Sequence, residues 1–102
     1  MKVREAIHDN KGVAACLNNI GLVYFKQQFF SKASISYFKA LKRLEKTNDV
    51  DFKAIILSNI GLAYREQKNY VSALSYFQRS RLLQEQVNDQ FNLIHTLNNI
   101  DH

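Results

Sequence analysis

The sequence predicts an all-α fold in which antiparallel helix–turn–helix units repeat along the chain and stack side by side as an α-solenoid. Three observations carry this. First, Leu17-Asn18-Asn19-Ile20-Gly21-Leu22 returns as Leu57-Ser58-Asn59-Ile60-Gly61-Leu62 and begins again as Leu97-Asn98-Asn99-Ile100, at intervals of 40 residues. Second, apolar residues inside each interval recur at the 3-and-4 spacing of an amphipathic helix. Third, no segment alternates apolar and polar residues as a strand would, and the chain has no proline to break a helix.

The first helix is read from Val13 through Cys16, Leu17, Ile20, Val23 and Tyr24. After Gln27-Gln28 the pattern restarts at Phe30 and continues through Ala33, Tyr37, Ala40, Leu41 and Leu44. The second unit repeats the arrangement with Ile56, Leu57, Ile60, Ala63 and Tyr64, then Tyr70, Ala73, Leu74 and Phe77. Asp9, Asp49 and Asp89 stand where an N-cap is wanted, each with a side-chain oxygen for an otherwise unpaired amide. Asn48 and Asn88 precede two of them, and asparagine tolerates the left-handed conformation that ends a helix. Glu5 aligns with Glu45 and Glu85, so residues 1–8 read as the end of a preceding unit's second helix. The expected organisation is one domain fragment over residues 1–102. Residues 9–48 form the first repeat, 49–88 the second, and 89–102 the start of a third.

Gly21 and Gly61 fall in mid-helix, where glycine costs about 1 kcal/mol relative to alanine. The same cost at the same repeat position predicts close approach of the paired helix. Ala33 and Ala73 would supply a second small surface, and Tyr24 and Tyr64 would fill the space beyond the contact. Asn19, Asn59 and Asn99 recur in register and are read as hydrogen-bonding within or between repeats.

Composition bounds the function. Seven Phe and five Tyr provide enough apolar surface to exclude a disordered chain. No stretch approaches the roughly 20 apolar residues of a membrane span. Cys16 is the only cysteine, so no intrachain disulfide forms; beside Ala14, Ala15 and Leu17 it reads as a small buried hydrophobe. The charge of +5 includes a run at Lys39, Lys42, Arg43 and Lys46, interrupted by Glu45 and read as the solvated face of one helix rather than a nucleic-acid site. His8, His95 and His102 have no metal-ligand spacing, and no phosphate loop, nucleophile elbow or carboxylate pair is present. Nothing calls for catalysis, a metal or a cofactor.

Leu17, Ile20, Gly21, Tyr24, Ala33, Tyr37 and Ala40, with Leu57, Ile60, Gly61, Tyr64, Ala73, Phe77 and Ser80, resemble the tetratricopeptide repeat. That unit stacks into a right-handed superhelix. The period departs from the family's usual 34 residues, and Glu45 and Glu85 stand where a closing proline is common. Long units without that proline are similar to variant repeats of bacterial regulators, sensor kinases and polarity scaffolds.

The resemblance implies a concave groove lined by the first helix of each unit, holding a protein or peptide. The groove positions it implies are Ala15, Asn18, Leu22, Phe25 and Lys26 in the first unit. Ile55, Ser58, Leu62, Arg65 and Glu66 follow in the second, and His95 and Asn98 in the third. Asn18 and Asn98 would grip peptide backbone; Leu22, Leu62 and Phe25 would give apolar contact; Lys26, Arg65 and Glu66 would sort ligands by charge. Members that clamp a C-terminal carboxylate carry Lys and Asn where this chain has Asn18 and Leu22, so a chaperone-tail receptor is disfavoured. The expected role is a non-catalytic binding scaffold. The alternative is a regulatory segment of a bacterial signalling protein answering to a peptide. Leu93, Leu97 and Ile100, on a helix without its partner, also predict self-association through the incomplete terminal repeats.

Overall fold

A computed structural model describes residues 9–100, with side chains described through residue 86. Four helices follow one another: α1 (Asn10–Lys26), α2 (Phe30–Leu44), α3 (Val50–Glu66) and α4 (Tyr70–Ile100). α1 packs on α2, α3 packs on α4, and α2 joins the two pairs by packing on α3. Residues 1–8, expected as the tail of a preceding helix, lie outside the described residues.

Local chemistry sets the helix ends. The Asp9 carboxylate accepts from the Gly12 amide at 2.9 Å, and Asp49 accepts from Phe52 at 3.0 Å, so both expected caps are formed. Each pair closes through a Schellman turn. Phe29 N–H donates to the Tyr24 carbonyl and Gln28 N–H to Phe25, and Asn69 and Lys68 do the same to Tyr64 and Arg65, all at 2.9 Å. This places Gln28 (φ 69°) and Lys68 (φ 63°) in the left-handed region usually given to glycine. The Phe29 ring meets Tyr24 edge-on at 6.4 Å, the apolar contact that accompanies such a turn.

Ala14, Ala33, Tyr37, Ala40, Leu44, Ile56, Ile60 and Ala63 form one sealed cluster spanning α1, α2 and α3. Burying each of the larger aliphatic side chains contributes about 1.5–3 kcal/mol. The glycines do what the pattern predicts. A Cβ on Gly21 would lie 2.6 Å from Tyr37 Cδ1, and one on Gly61 2.7 Å from Phe77 Cε1, so the paired helix approaches through an aromatic ring. Ala33 and Ala73 are buried, while Ser80 occupies the alanine position by donating to the Ala54 carbonyl at 2.7 Å.

Three expectations fail. Asn48 does not take the left-handed conformation at the end of a helix, which falls instead to Gln28 and Lys68. Cys16 is exposed, not buried. Its register equivalent Ile56 is sealed against the preceding helix pair, whereas no described residue covers Cys16. Asp89 caps no helix, because α4 runs through Asn88-Asp89 without a break. At the corresponding turn in the first pair, Thr47 Oγ1 donates to the Leu44 carbonyl at 2.8 Å and Lys53 Nζ to the Thr47 carbonyl at 2.9 Å. Lys11 Nζ pairs with Asp49 at 2.8 Å. The register equivalents are Val87, Leu93 and Asp51, which have neither the hydroxyl nor the cations for that turn. Asn and Asp alone disfavour helix by well under 1 kcal/mol each, too little to stop it.

Candidate functional site

The positions expected to line a groove fall on one face of α1 and one face of α3, by their 3-and-4 spacing along each helix. Leu22 is 37% exposed and Ile55 51% exposed, so each sets apolar surface in solvent. Leu62 and Ala15 are half-buried, and Lys26 is exposed. Arg65 and Glu66 are exposed and 3.8 Å apart, close enough to attenuate each other's charge toward a ligand. Phe25 is half-buried and packs edge-on against Phe30 at 5.1 Å, which turns much of its ring toward α2. His95 and Asn98 lie beyond the described side chains.

Two expected groove residues are committed elsewhere. Asn18 is buried, and its Oδ1 accepts from Asn59 Nδ2 at 2.9 Å across the seam between helix pairs. Ser58 Oγ lies 2.8 Å from Ser80 Oγ and so turns toward α4. The inter-repeat role read for the recurring asparagines is met by Asn59. Asn19, one position on from Asn18, is exposed. One helical position separates a seam residue from its neighbour, and the repeat pattern alone does not resolve that difference.

Beside the seam, Phe38, Tyr64 and Tyr76 form an aromatic triad, with Tyr64 and Tyr76 stacked at 5.6 Å and Phe38 edge-on to both. Burial, with a smaller contribution from Tyr76, raises the Tyr64 phenol above its ordinary value, and burial alone raises Tyr37. Both phenols therefore stay protonated at neutral pH, as packing residues do. Among the described residues no group of three His, Cys, Asp or Glu is placed to hold a metal ion. Among the same residues, no helix is long and apolar enough to cross a membrane.

Sequence reasoning also passed over a concavity. Val13 and Leu17 of α1, Lys39, Lys42 and Arg43 of α2 and Lys46 in the turn after it line a cleft of about 500 Å³, with Asn10 at its end. The four cations were legible as a helix face, but the apolar floor opposite them depends on how α1 leans on α2.

The family model for the tetratricopeptide repeat matches the chain twice in succession, over residues 13–52 and 54–91. Each match includes one helix pair through most of its length. No curated protein and no solved structure gives a significant match.

Proposed function

The chain belongs to the tetratricopeptide-repeat family, and on that premise we propose that it is a non-catalytic module holding a protein or peptide segment against the face shared by α1 and α3. Tetratricopeptide repeats generally mediate protein–protein interaction. The observation that carries the proposal is the solvent exposure of Leu22 on α1 and Ile55 on α3, both at positions of the face the two helices share. Isolated apolar side chains on a rigid two-helix platform are anchors for a complementary side chain. The Asn18–Asn59 bond ties the two helices together directly, alongside the packing of α2 on α3 that joins the pairs.

Selection from a displayed random-peptide library tests this. Peptides enriched on the native chain are expected to bind the Leu22→Asp/Ile55→Asp variant at least ~10-fold more weakly. Both side chains are partly exposed, so the variant keeps its helicity. Equal binding to both proteins, or no enrichment on the native chain, overturns the proposal.

A second partner is another copy of the chain. Ile20 is 47% and Val23 56% exposed, whereas their register equivalents Ile60 and Ala63, which pack on the preceding helix pair, are 0% exposed. The exposed face thus carries the chemistry of a stacking face that no described residue covers. Self-association is expected in sedimentation equilibrium, with Ile20→Lys shifting the chain toward monomer. A native chain that stays monomeric at high concentration removes this reading.

A further inference from the structure

We propose that the cleft between α1 and the C-terminal half of α2 is a second docking site, distinct from the α1–α3 face, for an acidic peptide segment bearing an apolar side chain between its carboxylates. The wall is cationic. Lys39, Lys42 and Arg43 occupy positions i, i+3 and i+4 of α2, and Lys46 follows in the turn just past its end. All four are exposed, and none joins an ion pair with another described residue. The floor is apolar, formed by Val13 and Leu17, and no carboxylate lines the cleft. Asn10 brings the N-terminal end of α1 to the rim, and that helix has no acidic residue in its first turn. None of the groove positions on α1 and α3 lines this cleft.

The repeat supplies an internal control. A basic second helix that merely kept the unit solvated would recur in the second pair. The register equivalents of the four cations are Arg79, Leu82, Leu83 and Gln86, and that of Val13 is Lys53, whose ammonium is tied to the Thr47 carbonyl. One cation of four survives, and Arg79 lies over the Tyr76 ring at 5.1 Å. The cationic wall over an apolar floor thus belongs to the first pair alone.

The chemistry selects the occupant. Carboxylates spaced by three and four residues on a helical or extended segment match the wall. An apolar side chain between them fills the floor, in a volume within the usual range for ligand sites. A nucleic acid would use the cations but leave the floor idle, and no aromatic residue lines the cleft to stack a base.

Fluorescence anisotropy on the full chain tests the assignment with three labelled probes. They are a short peptide with glutamates at i, i+3 and i+7 around a central leucine, its leucine-to-serine counterpart, and an oligo-dT of equal charge. The leucine peptide is expected to bind best, with the serine peptide about 10-fold weaker. The Lys42→Glu/Arg43→Glu chain is expected to bind the leucine peptide at least ~10-fold more weakly, with circular dichroism unchanged. Leu22→Asp is expected to leave this binding intact. No binding to the native chain, equal binding to the charge-reversed chain, or oligo-dT binding as tight as the peptide's overturns the proposal. Loss of binding in Leu22→Asp would move the peptide to the α1–α3 face and also overturn it.

Discussion

Asn59 donates its side-chain amide to the carbonyl of Asn18 at 2.9 Å, joining α3 to α1 across a seam that is otherwise largely apolar. Removing the donor strands a buried carbonyl, so Asn59→Ala is expected to cost about 1–3 kcal/mol. Thermal unfolding followed by circular dichroism reads this as a drop of several degrees. A double-mutant cycle with Asn18→Ala should return a coupling of about 1 kcal/mol. A coupling near zero would mean that the bond contributes nothing to the seam.

Adding one methyl at each mid-helix glycine probes the close approach of paired helices. Gly21→Ala gains helix propensity but drives a Cβ into the ring of Tyr37, which is 1% exposed and hemmed in by the core. A net destabilisation of about 1–3 kcal/mol is expected. Gly61→Ala meets Phe77, which is half-buried and freer to yield, so its loss should be smaller. Urea midpoints for the two variants should fall in that order.

The two Schellman turns predict the opposite sign. Gln28 and Lys68 hold left-handed backbone without the glycine that tolerates it. Gln28→Gly and Lys68→Gly are each expected to stabilise by a few tenths to about 1 kcal/mol, after the extra unfolded-state freedom of glycine is subtracted. The turns are separate in the fold, so the double variant should show the sum. A decrease in the urea midpoint for either variant would contradict this.

Asp49 gives the fold a pH dependence. Its carboxyl is held below the ordinary carboxylate value by the hydrogen bond from Lys11, then by the Phe52 amide, and Lys11 is raised in turn by Asp49. A lowered carboxyl contributes stability that is present above its unfolded pKa and is lost as pH falls through the folded one. The raised lysine contributes below its unfolded pKa and loses that contribution as pH climbs through its folded value. Asp49→Asn keeps the cap but removes the charge. The native chain's advantage over this variant should therefore hold at neutral pH, shrink as pH falls below the ordinary carboxylate range and shrink again as it climbs above the ordinary lysine range. Added salt should shrink it, since Lys11 is well exposed. Thermal midpoints of both chains across that range check the prediction.

Much of this was written in the spacing of residues. The 40-residue register, the mid-helix glycines and the Asp9 and Asp49 caps each follow from a local rule, and the structure obeys them. The misses share a cause, because each depends on what stands opposite. Cys16 has the sequence of a core residue but faces a side that no described residue covers. Asn18 and Asn59 differ by one helical position in register, and only the lean of α3 on α1 decides that they meet. Asn88-Asp89 copies the stop of Asn48-Asp49 without Thr47, Lys53 and Lys11, which complete it. The Gln28 and Lys68 turns lack the glycine that would have marked them. For the binding surface, the sequence indicated a face, and the structure withdrew Asn18 and Ser58 from its free positions.

The unbroken α4 also has a mechanical consequence. At 31 residues it is a rod of about 45 Å, against about 25 Å for the 17-residue α3 on which it lies. The excess of about 20 Å runs on past the length of α3. A difference of about 10° in the direction of α4 at Tyr70 would displace the position of Ile100 by about 8 Å. The angle at which α4 leaves Tyr70 is thereby magnified along the rod, so packing against the 17 residues of α3 governs positions well past its own length.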